Sequence, residues 1–321
     1  MSATTLFIFV ILYFLVLLGV AKITGKNSNN MSFFIGNKNS NWMLVAFGMI
    51  GTSLSGVTFV SVPGAVSKDA FHYLQITIGY LIGYFTIAYV LLPIYYKLNL
   101  TSIYHYLEQR LGFNAYKTGA SFFVLSRTLG ATARLYLVVK ILQVFILDSL
   151  GVPFWATTLV ILIMILLYTY EGGVKTIVWT DTLQTSGMLM GLIICSIYIL
   201  SNLHLSVAEG LQAMQLKGIA TVFNTDVNSK SFFLKQIIGG AFITLTMTGL
   251  DQEMMQKNIS VKTLKDAQKN MVTIGFTMLL VISLFLFLGG LLNLYAAQNN
   301  ITATGDDLFP SIALYHMPPY I

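Results

Sequence analysis

Eight stretches of the chain are each long and apolar enough to cross a bilayer as a helix, at about 4–24, 42–66, 71–97, 115–147, 153–170, 174–200, 232–255 and 271–297. A hydrocarbon core about 30 Å thick takes about 20 helical residues. Inside it no water satisfies a backbone amide, so only helices and closed barrels span. A barrel strand needs only about 10 residues, and these runs are twice that length. Charged residues make up 9% of the 321 residues and hydrophobic ones 56%. Water-facing surfaces need more charge than this; about a quarter is usual in soluble chains. The sequence therefore predicts an all-α, multi-pass membrane protein. The first stretch has no basic start and no small-residue cleavage site, so it reads as a span that stays in the protein.

The basic residues report topology. Loops on the side that follows the first span hold eleven Lys and Arg, Lys257 among them, and the opposite loops hold four. The positive-inside rule then places the N-terminus outside a cell membrane. The +6 net charge is accounted for in this way and gives no sign of nucleic-acid binding. One cysteine, Cys195, excludes an intramolecular disulfide, and the four scattered histidines have no ligand spacing for a metal site. No HExxH or Ser/His pair falls at membrane depth, which argues against a membrane-embedded enzyme.

Against this apolar background, intramembrane polar residues stand out as site candidates. In "GMIGTSLSGVTFVSVPGAV", Gly48–Val66, small residues and Pro63 interrupt the second span. Taken alone, the run fits a kinked, tightly packed helix. It also fits a discontinuous helix whose unwound carbonyls coordinate a cation. In the fourth span Arg127 and Arg134 lie seven residues apart on one face. Arg134, about mid-span, suits a substrate carboxylate, and Arg127 suits pairing with an aspartate. Asp181 stands near the start of the sixth span with Thr180, Thr182, Thr185 and Ser186 nearby. Such oxygens suit an alkali cation or a proton, and equally a helix-start carboxylate at the positive end of the dipole. Thr244, Thr246 and Thr248 precede Gly249 and point to a second interruption, in the seventh span. Paired interruptions in two halves of a chain are a mark of transporter binding sites. Gly79 and Gly83 form a GxxxG, a weak signal of close helix contact. A loop at 201–231 contains an amphipathic piece, "LSVAEGLQAMQLKGI".

Four segments together resemble the sodium:solute symporter family: "SGVTFVSVPGAV", "LTSIYHYLEQRLG", "YEGGVKTIVWTDTLQ" and "GLDQEMMQKNISVKTLKDAQKN". Their order and spacing agree over nearly the whole chain. The resemblance implies a leucine-transporter-type fold, with an extra first helix at 4–24 and then a 5+5 inverted repeat. Its first repeat would occupy 42–200, and its second would begin at 232–321. The chain is expected to stop before a ninth span that supplies further sodium ligands. As implied by the family, sodium binds the backbone carbonyls of Gly51 and Leu54, and Asp181 serves a second sodium site or sodium release. Ser53, Ser55 and Thr58 match substrate-contacting hydroxyls, Gln75 faces the same cavity, and Thr244 and Thr248 line it.

The motifs are most similar to the sialic-acid and monocarboxylate branches. Sugar carriers of the family place a lysine mid-way along the eighth span, and "MVTIGFTMLLVISLFLFLGG" has none. The expectation is a sodium-coupled symporter of a small organic anion, with Arg134 matching its charge. Other symport within the family, to sugars or with protons, and the sensor domain of a fused histidine kinase are the alternatives. The oligomeric state is not legible.

Overall fold

In the computed structural model, the structure describes residues 3–24, 40–54, 56–100, 102–169 and 173–318. Among the described residues the secondary structure is helical throughout, apart from one isolated bridge between Ser40 and Val261. In chain order the helices are α1 (Ala3–Thr24), α2 (Trp42–Ser53), α3 (Gly56–Asp69) and α4 (Tyr73–Lys97). They continue with α5 (Ile103–Leu111), α6 (Phe113–Leu142), α7 (Phe154–Thr169), α8 (Gly173–Leu203) and α9 (Val207–Leu216). The last are α10 (Phe233–Gly249), α11 (Gln252–Ile259), α12 (Leu264–Gln298) and α13 (Leu308–Tyr315).

Among the described residues, helices fall in each expected span. Helices α4, α6, α8 and α12 are long and apolar enough to cross a membrane singly. Both expected interruptions are present. Helices α2 and α3 bend by 60° at their junction, and α10 and α11 by 67°. Each bent pair passes the same length and hydropathy test as one broken span. Apolar α1 and α7 are shorter. The amphipathic piece of the 201–231 loop is α9, which starts on a capping box: Ser206 caps the Glu209 amide, and Glu209 reaches back to the Ser206 amide at 2.7 Å. Those bonds hold the exposed Glu209 carboxyl below its ordinary pKa.

The chain divides into two compact units. The first holds 1–49, 90–183 and 248–270, and the second 50–89, 184–247 and 271–321. Within the second unit, helices α4 and α10 cross on glycine. A Cβ built on Gly79 would lie 2.1 Å from the Ile237 carbonyl, and one on Gly240 2.2 Å from that of Ile76. Gly83 sits on Thr244 in the same way, 2.6 Å from its Cβ. The GxxxG is therefore a real crossing, where two backbones touch because neither carries a side chain. Helix α3 is packed as closely. A Cβ on Gly289 of α12 would meet the Pro63 carbonyl at 2.6 Å, and one on Gly64 the Gly305 carbonyl at 2.5 Å. Phe59 adds ring contacts to Phe285 and Phe309.

The crossing gives a direct test with an internal control. At Gly239, the neighbour of Gly240, an added Cβ meets nothing within 4 Å. Gly240→Val forces backbones apart and is expected to cost about 1–3 kcal/mol or more. Gly239→Val meets no neighbour and replaces glycine by a slightly better helix former, so it should change stability by no more than a few tenths of a kcal/mol. Thermal unfolding of the detergent-purified protein should show a clear drop in midpoint for Gly240→Val alone; equal drops would contradict the crossing.

Candidate functional site

The first break lies wholly in the second unit. Helix α2 closes with the Leu54 amide on the Ile50 carbonyl at 2.8 Å. The following carbonyls, from Gly51 on, belong to the last turn of α2. They also carry the negative end of the helix dipole, which favours a cation. Helix α3 then begins at Gly56, and its first amides present the opposite, anion-favouring end. Thr58 is the third residue of that helix. The break thus sets a cation-favouring terminus beside an anion-favouring one, with Ser53 and Thr58 on either flank. Leu54 is buried. Ser55, a predicted substrate contact, lies outside the described residues.

Asp181 belongs to the first unit, on α8. It lies against Gly48 of α2, three residues before Gly51 in the chain. A Cβ at Gly48 would come within 3.6 Å of the Asp181 Cβ and 3.2 Å of the Val178 carbonyl. The Asp181 carboxylate accepts a 2.8 Å bond from the Lys257 ammonium. The threonines around it turn inward: Thr180 donates to the Thr176 and Ile177 carbonyls, and Thr182 to that of Val178.

Lys257 corrects the loop count of the sequence. It was counted as an inner-loop lysine, yet its side chain is 3% exposed. It lies on α11 and also reaches Glu253 at 3.4 Å. Arg127 joins Glu253 at 3.5 Å and Asp251 more closely still. Arg127 therefore pairs with an aspartate, as its sequence position suggested. Asp251 caps α11 through the Met254 amide, and the Gly249 carbonyl at the break accepts the Tyr95 hydroxyl at 3.0 Å. Gln252 accepts the Ile103 amide, and Tyr96 donates to the Val261 carbonyl at 2.7 Å. Burial, reinforced by Asp251 and opposed by Arg127, pushes the Tyr104 phenol of α5 up to about 12. The second break is thus tied by its own chain. The signal for Lys257 was the Glu253–Lys257 spacing of four, a helical ion-pair register beside an N-cap aspartate.

The remaining candidates separate. Gln75 is fully buried in the second unit, and its amide is engaged at both ends. It donates to the His72 and Ser231 carbonyls and accepts the Asn224 amide at 3.2 Å. Thr244 is buried against Gly83, in the α4–α10 crossing. Thr248, in the first unit, is buried too. Arg134 lies on an exposed face of α6 and forms no ion pair or hydrogen bond among the described residues. In hydrocarbon a guanidinium in that position needs a partner.

The family model described as "Sodium:solute symporter family" matches residues 33–314. The chain is 26% identical over 271 residues to the sodium/iodide cotransporter of Homo sapiens, an alignment covering 83% of this chain and 41% of that protein. It is 28% identical over 226 residues to the sodium-dependent multivitamin transporter of Oryctolagus cuniculus, covering 70% and 35%. Against the sodium-coupled monocarboxylate transporter 1 of Mus musculus it is 25% identical over 265 residues, covering 81% and 43%. The chain thus spans about two-fifths of the length of these curated relatives. A solved structure, described as the substrate-bound outward-open state of a Na+-coupled sialic acid symporter, superposes with a TM-score of 0.84 at 20% identity. The match covers 95% of this chain and 64% of that one, and it fixes the fold.

The ionic tie at the second break can be checked by a double-mutant cycle. Arg127→Gln strands Asp251, whose side chain is 9% exposed, and is expected to cost on the order of 3 kcal/mol. Asp251→Asn in the same chain should recover much of that loss. Chemical unfolding gives the coupling, and strictly additive losses would contradict a direct pair.

Proposed function

The chain belongs to the sodium:solute symporter family, and from that premise we propose that it carries a small organic anion across the cell membrane together with sodium. The family's relatives are membrane-embedded sodium-coupled carriers and not enzymes. The observation that carries the reading is the break between α2 and α3. There one helix ends and another begins inside a bent pair that is long and apolar enough to count as one span, and in hydrocarbon a bound ion can meet the ends of a broken helix.

In this reading the Gly51 and Leu54 carbonyls bind sodium, and binding fixes the geometry of the break. Ser53, Ser55 and Thr58 then receive the substrate's carboxylate, aided by the positive end of α3. Arg134, on an exposed face of α6, is the proposed source of positive charge for the anion. Thr248 adds a hydroxyl. Gln75 and Thr244 act indirectly, by fixing the ends and crossing of α4. Asp181 takes sodium on its way inward. The driving force is the sodium gradient and the membrane potential; one charge moved across 100 mV is worth about 2.3 kcal/mol. The N-terminus is outside, the two halves form an inverted repeat, and the anion is of the carboxylate class. The hydroxyl pattern supports that class, and the lack of a lysine mid-way along the eighth span argues against a neutral hexose. The names of the monocarboxylate and sialic acid relatives agree with it.

Uptake by the full-length protein in proteoliposomes tests this. A panel of labelled monocarboxylates and sialic acid should include one taken up with an inward sodium gradient and not with potassium or choline. Thr58→Ala and Arg134→Ala should each lower the apparent affinity for that acid by about tenfold or more, the scale of one lost charge-assisted bond. Uptake indifferent to sodium would sink the proposal, and unchanged affinity in Arg134→Ala would remove that residue from the site.

A further inference from the structure

We infer that the side-chain amides of Asn258 and Asn270 hold one buried water molecule, which closes a polar lock between α11, the base of α12 and α2. Residues 248–270 and Met49 belong to the first unit. Asn258 and Asn270 are fully buried. Asn270 Nδ2 donates to Asn258 Oδ1 at 2.8 Å. The reciprocal bond is not made: among the described residues, neither Asn258 Nδ2 nor Asn270 Oδ1 has a hydrogen-bond partner. The pair is thus hinged on one bond and open on its other side, with one donor and one acceptor left over. A buried polar atom without a partner is costly, and folded proteins rarely tolerate one.

The leftover atoms define their ligand. Exchanging O and N in both amides swaps the atoms' roles, and one donor and one acceptor still remain. An ion of either sign answers one of them and repels the other. Water gives a hydrogen to the oxygen and accepts one from the amide nitrogen. It is the usual occupant where two or more buried polar groups converge. The asparagines are not free to drift to other partners. The backbone beyond Asn258 is pinned by the Tyr96 hydroxyl on the Val261 carbonyl at 2.7 Å, and by the Ser40 amide on the Ser260 carbonyl at 3.2 Å. Asn270 Nδ2 also approaches the Met49 sulfur of α2 at 3.5 Å, a weak acceptor. Met49 stands two residues before Gly51 in the chain. The lock therefore joins the helix that follows the second break to the helix that precedes the first. It holds whatever solute and ion the chain carries.

X-ray radiolytic labelling of the full-length protein in detergent tests this, because radiolysed water oxidises the side chains beside it. Met49, Met214 and Met278 are 1%, 0% and 4% exposed, so all three are shielded from bulk water. Met49 has the asparagine pair beside it. Its sulfoxide should form several-fold faster than those of Met214 and Met278. Asn258→Leu combined with Asn270→Leu replaces both amides by apolar groups of similar size, which need no partner. In that variant, with folding checked by gel filtration, Met49 should fall to the rate of the other two. Equal rates at the three methionines of the wild-type protein overturn the proposal, since the two amides then close directly on each other. Fast labelling of Met49 that persists in the double variant also overturns it, since bulk water then reaches the sulfur by another route. If the double variant does not fold, the wild-type rates decide.

Discussion

A bilayer core offers no hydrogen-bond partner to a backbone, and the rest of this structure depends on that constraint. Continuous helices answer it for most of the chain. At two places the helix stops inside the apolar region, and the freed carbonyls and amides must be answered in another way. At the second break the protein answers with its own groups: the Tyr95 hydroxyl on the Gly249 carbonyl and the Asp251 cap on α11. At the first break, the last carbonyls of α2 and the first amides of α3 flank a single turn of chain. A cation and an anion suit the two termini. The two breaks look alike in sequence, and at the second the partners are the protein's own groups.

That difference gives the charged cluster its meaning. Asp251, Glu253 and Lys257 all belong to α11 or its cap, and they reach out to α6 through Arg127 and to α8 through Asp181. One short helix therefore carries ties to two others. Buried ion pairs add little net stability, because desolvation offsets their attraction. Their worth lies in holding a particular arrangement.

Much of this was legible in the sequence, and the reason is physical. Span lengths follow from bilayer thickness, so the helices were found with small errors at their ends. The breaks were legible because Gly, Ser and Pro inside an apolar helix have few other uses. Arg127 was legible because a guanidinium at that depth demands an acid. Three things were not. Lys257 read as a loop lysine, since charge counting knows nothing of burial. Gln75 gave no sign of the bonds by which its amide secures the 224–231 segment, through the Asn224 amide and the Ser231 carbonyl. The glycine crossing of α4 and α10 was only half visible: Gly79 and Gly83 stood out as a GxxxG, while Gly240 showed no pattern of its own. Long-range partners of this kind, between segments separated by some 150 residues, leave no local periodicity to read.

The central claim is that the first break is completed by sodium and the second by the protein itself. Hydrogen exchange of the full-length protein, in sodium against choline, tests it most directly. The account predicts that sodium slows exchange of the amides around Gly51–Thr58 and leaves those at Gly249–Asp251 unchanged. Equal protection at both breaks, or none at the first, would contradict it.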